Sequence, residues 1–172
     1  MENKEKKFTV STSPHFRSKD STTGIMLNVI IALLPALIAS VFIFGFRSLT
    51  VTAVAVASCV FFEYISRKIM KRENTISDLS AVVTGMLLAF NLPASMPLWM
   101  VVIGSAVAII VVKQFFGGIG QNFVNPALVG RIVLMASFPT AISSWVSPSK
   151  ADAVTSATPL VPLGKMFTDG NI

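Results

Sequence analysis

Of 172 residues, 53% are hydrophobic and 13% charged, and the mean hydropathy is +0.73. A soluble domain carries about 25% charged residues, so this balance excludes that class and selects an all-α polytopic membrane protein. The net charge of +6 gathers in two clusters with no interleaved aromatic platform, which argues against nucleic acid and for loops at a lipid surface. One cysteine, Cys59, and one histidine, His15, exclude an internal disulfide, a zinc site and a Cys/His catalytic pair.

Residues 1–24 form a polar tail holding Lys4, Lys6, Lys7, Arg17 and Lys19. An apolar run this far from the start is too long and too late for a cleavable signal peptide. Residues 25–46 contain no charge and span a hydrocarbon core of roughly 30 Å, with a kink expected at Pro35. After a tight exit at Gly45-Phe46-Arg47, a second span covers 49–65, where Ala53, Ala55, Ala57 and Ser58 permit close helix approach. Glu63 falls in its last turn, four residues before Arg67, and reads as half of a surface ion pair. Arg67, Lys68, Lys71 and Arg72 then make a basic loop.

The next uncharged run is too long for one span and is cut by Asn91-Leu-Pro93-Ala-Ser-Met-Pro97. It divides into a short third element, 76–90, and a fourth, 98–116, a pattern of interrupted segments typical of transporter folds. Phe115-Phe116-Gly117-Gly118-Ile-Gly-Gln-Asn122-Phe-Val-Asn125-Pro126 follows. No strand precedes these glycines, so they are not a dinucleotide fingerprint, and a hairpin between helices is the plain reading. Asn125-Pro126 is a good helix start, opening a fifth span over 126–146 with a bend at Pro139. Arg131 inside that span is either a contact for an anion or flavin or a side chain snorkelling to the headgroups.

Basic residues alternate between loops, which sets the tail on the cytoplasmic side and, after five crossings, 147–172 on the far side. That last segment carries Asp152-Ala-Val-Thr155-Ser156-Ala-Thr158-Pro159, which on local chemistry alone is a turn.

The Asp-x-x-Thr-Ser-Ala-Thr run looks like the flavinylation signature recognised by the bacterial FMN transferase. With the Asn91-Leu-Pro turn and the block from Phe115 to Arg131, it resembles the NqrB/RnfD family over residues 8–172. That family includes the D subunit of Rnf-type ion-translocating electron-transport complexes. The resemblance implies a multi-pass protein of the bacterial inner membrane, built on an inverted-repeat fold, that relays electrons between ferredoxin and NAD coupled to sodium or proton movement. It implies FMN on Thr158 through a phosphoester, with Asp152, Thr155 and Ser156 as the transferase's recognition residues and Ser156 standing where many relatives have Gly. It also implies a second, non-covalent flavin (riboflavin or FMN) in the membrane core. Gly117 and Gly118 match a glycine pair near a quinone site in the quinone-reducing relatives, and they join Asn122, Asn125 and Arg131 as candidates for cofactor contact. The implied partners are the transferase, lipid and the other subunits of the complex, one of them an extracytoplasmic subunit with covalent FMN. No residue of this chain is expected to act as acid, base, nucleophile or metal ligand in turnover. Family members have a second membrane half, so this chain is expected to be the N-terminal half. The competing readings are a transporter or channel half, or a structural subunit without redox function.

Overall fold

The structure, a computed structural model, describes residues 21–72 and 76–144. The motif from Asp152 to Thr158 lies outside the described residues. Among the described residues there is no strand, and the chain is an all-α membrane protein.

Helix α1, Thr22–Phe44, is capped by Ser21, whose hydroxyl accepts the Gly24 N–H at 3.1 Å. It continues through Pro35 and has no buried residue, so Ile31, Ile38 and Phe42 face outward. In a bilayer that exposure is favourable, because lipid tails solvate apolar side chains. Gly45 alone joins α1 to α2, Phe46–Ile69, with φ +77°, a left-handed conformation that suits glycine. α1 and α2 are long and apolar enough to cross a membrane. Arg67 and Lys68 lie in the last turn of α2, where cations offset the carbonyl end of the helix dipole.

A single 3₁₀ turn, Ile76–Asp78, and Leu79 in the left-handed region lead into α3, Ser80–Phe90. Asp78 stands in for a cap, its carboxylate accepting the Ser80 N–H at 3.0 Å. With 11 residues, α3 is only about 16 Å long at the usual rise. The turn after it is buried at Leu92, Pro93 and Met96, and the Met96 carbonyl accepts from Arg47 at 3.2 Å. Irregular backbone in a membrane protein is tolerated where protein buries it and supplies the missing hydrogen bonds. Helix α4, Leu98–Ala106, widens into a π-helix, Val107–Gln114. The fifth predicted span is two helices: α5, Pro126–Ser137, and the short α6, Pro139–Ser143, broken at Phe138 because Pro139 cannot continue the ladder.

α2 is the central helix, packed on α1, α3, α4 and the π segment. A Cβ on Gly85 would lie 2.7 Å from the Val56 Cα, so α3 sits directly on the α2 backbone. Of the small residues expected to allow this, Ala55 and Ser58 are buried, whereas Ala53 and Ala57 point outward. A Cβ on Gly130 would similarly fall 2.8 Å from the Gly104 carbonyl, fixing α5 against α4. The main core joins Val51, Ala55, Leu88, Met96, Val101 and Leu134.

The helix ends sort into two groups. At one, Arg47 meets Met96, and Ser95 bonds the Ser144 carbonyl. At the other, the C-terminus of α2, the 3₁₀ turn, the end of the π-helix and the glycine loop come together, with Arg72 donating to the Gln114 carbonyl at 3.4 Å.

Candidate functional site

The second of these ends holds a buried polar cluster. Glu63 is fully buried and Lys113 is 2% exposed, and their Oε1 and Nζ atoms are 2.7 Å apart. Gln114, also fully buried, donates its amide to the same Glu63 oxygen at 3.1 Å. Lys113 also donates to the Ser80 hydroxyl, and Ser80 in turn donates to Asp78 Oδ1 at 2.6 Å. Asp78 is half-buried at the rim.

Local geometry explains how two consecutive residues share one acceptor. In the π-helix the backbone bonds run i to i+5, as in Phe115 N–H to Ile110 O at 3.2 Å. The wider turn brings Val112, Lys113 and Gln114 all to the inside. Such segments cluster at functional sites because the wider turn is otherwise a poor exchange for α geometry. Sequence spacing puts Glu63 in a surface pair, and the structure overturns that. α2 runs on to Ile69, so Glu63 lies more than a turn inside the helix and packs under α3 and the π segment. The apolar runs by themselves show no embedded carboxylate, and Glu63 is one.

Next to this cluster is a cavity of about 480 Å³. Its lining includes Lys113 and Ser80, Thr84 and Leu87 from α3, and Asn122, Phe123 and Asn125. The volume is within the usual range for small-molecule sites, roughly 300–1,000 Å³. Its lining combines a cation, hydroxyls and amides with apolar side chains.

The predicted site residues are divided by the fold. Asn122 and Asn125 reach the cavity and also have structural duties. The Asn122 amide, with its nitrogen turned inward, donates to the Gly118 and Val112 carbonyls at 3.1 and 3.2 Å. Asn125 caps α5, accepting the Ala127 N–H at 3.0 Å. Gly117 and Gly118 are not in the cavity lining, and they start the loop that supplies Ile119, Gly120 and Asn122 to it, with φ +109° and +104°. A Cβ on Gly118 would come 2.6 Å from Arg67 Nη2, and one on Gly117 would collide with the Gln121 side chain. Arg131 lies away from this group. Its Nη1 donates to Asn91 Oδ1 at 3.0 Å, tying α5 to the turn after α3. Asp152, Thr155, Ser156 and Thr158 fall outside the described residues. Lys113, Ser80 and Gln114 are not singled out by the sequence, and Glu63 enters it only as half of a surface pair, although Lys113 lies within the predicted fourth span, where an ionisable residue is a functional signal.

The described residues contain no group of three or more His, Cys, Asp or Glu suited to a metal ion. Residues 9–170 match the model of the NQR2, RnfD, RnfE family. The chain is 52% identical over 159 residues to the D subunit of the Na(+)-translocating ferredoxin:NAD(+) oxidoreductase complex of Acetobacterium woodii, covering 92% of this chain and 50% of that protein. It is 46% identical over 155 residues to the proton-translocating counterpart from Clostridium ljungdahlii, covering 89% and 47%. It is 43% identical over 141 residues to the D subunit of the ion-translocating oxidoreductase complex of Yersinia enterocolitica, covering 81% and 40%. The chain thus spans about half the length of the curated relatives it matches.

Proposed function

The chain belongs to the NQR2, RnfD, RnfE family, and from that premise we propose that it serves as a membrane part of a redox-driven, ion-translocating ferredoxin:NAD oxidoreductase complex. The observation that carries the reading is the Asp152-x-x-Thr155-Ser156-Ala157-Thr158 run in a chain 52% identical to the D subunit of such a complex. Thr158 offers the hydroxyl on which FMN would be carried as a phosphoester, with Asp152, Thr155 and Ser156 read by the FMN transferase. When bound, the flavin supplies the electron carriage. The chain's own part is to hold, orient and insulate it.

The cavity beside Lys113 suits a second, non-covalent flavin by its chemistry. Asn122, Asn125 and Ser80 offer hydrogen bonds to a polar ring edge, and Phe123 and Leu87 offer apolar contact. Gly117 and Gly118 set the backbone of the loop that lines it at Ile119 and Asn122, and Arg131 acts at a distance as a brace.

In this reading the protein sits in the bacterial inner membrane, with the tail and the basic residues Arg67–Arg72 at the end of α2 cytoplasmic and residues 147–172 on the opposite side. The grouping of helix ends supports this, because Ser144 lies with the Gly45–Arg47 turn and away from Arg72. The partners are the other subunits of the complex, including an extracytoplasmic one with its own covalent FMN.

The test is flavin fluorescence on a denaturing gel after co-expression of the full-length subunit with the transferase. A fluorescent band that disappears in Thr158→Val supports the reading. A wild-type band without fluorescence sinks it and favours a transporter half or a structural subunit.

A further inference from the structure

The hydrogen-bond chain Glu63–Lys113–Ser80–Asp78 leads from a fully buried carboxylate to a half-buried one at the rim. We propose that it is a proton-exchange site, in which Lys113 holds a proton between Glu63 and the cavity and trades it with water by way of Ser80 and Asp78.

The donors line up in one direction. Lys113 donates to the Ser80 oxygen, and the Ser80 hydroxyl donates to Asp78. Release is therefore a concerted hop. An N–H bond of Lys113 breaks as an O–H bond forms on Ser80, and the original Ser80 proton passes to Asp78 Oδ1, which gives it to water. Lys113 is left as a neutral amine, and the buried pair changes net charge from zero to minus one. Uptake is the reverse, and no oxidant, reductant or other reactant is required. A serine hydroxyl suits the middle position because it donates and accepts at once.

A purely structural ion pair would need neither Ser80 nor a cavity. Buried pairs often contribute little net stability, and ionisable groups embedded in membrane helices mark ion and proton paths. Here Lys113 and Ser80 both line the cavity, so the held proton has a second neighbour besides Asp78. The π register, which turns Lys113 inward beside Gln114, is the backbone's contribution.

The charged and titratable groups around the site come from three directions. α2 contributes Arg67 one turn beyond Glu63, with its guanidinium against Gly118, and the buried Cys59 one turn before it. The segment after α2 contributes Arg72, bonded to the Gln114 carbonyl. The 3₁₀ turn contributes Asp78 itself, while the described parts of α1 and α3 bring no titratable side chain to the site. Arg67 and Arg72 at the rim provide a positive field that compensates the charge left when the proton departs.

The test is infrared difference spectroscopy on the intact complex in lipid vesicles after a rise in pH at constant sodium. A shift of the Glu63 carboxylate stretch as Lys113 loses its proton is expected, absent from both Glu63→Gln and Lys113→Met. Ser80→Ala should keep the amplitude and slow the response by about tenfold, the loss of one hydrogen-bonded link. Asp78→Asn should slow it similarly, and Ser80→Thr should restore the wild-type rate. A response equally fast in Ser80→Ala and Asp78→Asn would overturn the path. Absence of any Lys113-dependent shift, or a shift driven by sodium at fixed pH, would overturn the site. Thr158→Val should leave the spectra unchanged, so the outcome is separable from that of the covalent-flavin proposal.

Discussion

Removing one member of the Glu63–Lys113 pair should damage the protein far more than removing both. At 2.7 Å the pair's mutual attraction is about 6 kcal/mol for an effective dielectric of about 20. The cost of taking both charges out of water cancels much of it. Lys113→Met removes the ammonium from the buried Glu63 carboxylate, which keeps the Gln114 amide, and Glu63→Leu strands an ammonium that retains only Ser80 among its present partners. Each single change is expected to cost about 3–5 kcal/mol. The double variant replaces the pair with apolar groups of similar length and should return to within about 1 kcal/mol of wild type, since such exchanges are often neutral. The coupling energy from the cycle would then be several kcal/mol. The assay is reversible unfolding of the full-length subunit in mixed detergent micelles, comparing the four proteins. Additive losses in the double variant would refute the argument, because they would mean that the two side chains do not interact across the bundle. The same double variant is expected to be stable yet to show no pH-driven infrared response, which separates the packing role from the proton-exchange role.

Other changes probe the frame around the site. Gly85→Val forces a branched side chain onto the α2 backbone at Val56 and should cost about 1–3 kcal/mol in the same unfolding assay. Asn125→Ala removes the α5 cap and should cost about 1 kcal/mol, whereas Asn125→Asp should keep the cap and its stability. Arg131→Met leaves Asn91 Oδ1 without that donor and should lower stability by about 1–3 kcal/mol while leaving gel fluorescence from Thr158 intact. Gly117→Ala places a side chain at φ +109° against Gln121 and should reduce the yield of folded protein in size-exclusion chromatography, with Gln121→Ala giving partial relief.

Much of the frame was legible in the chain because it depends on neighbours in sequence. Apolar run length separates α1 and α2 from the short α3, and Pro93, Pro97 and Pro139 mark breaks wherever they fall. Asn125-Pro126 starts a helix by local hydrogen bonding alone. The Asp152–Thr158 run is a linear motif, readable without a fold. Glu63 and Lys113 were not legible in this way. Glu63 lies near the end of an apolar run and reads as a surface charge, and Lys113 lies near the end of the predicted fourth span with no partner in its sequence neighbourhood. Their pairing across 50 residues depends on α3 lying against α2 at Gly85, on α2 continuing past Glu63, and on the π register turning Lys113 and Gln114 inward together. Composition and local pattern determined that this chain is a helical membrane protein, with breaks at Pro93, Pro97 and Pro139 and a helix start at Asn125-Pro126. Only tertiary packing decided which charges are buried, because burial depends on what the other helices place over a residue and not on the residues beside it.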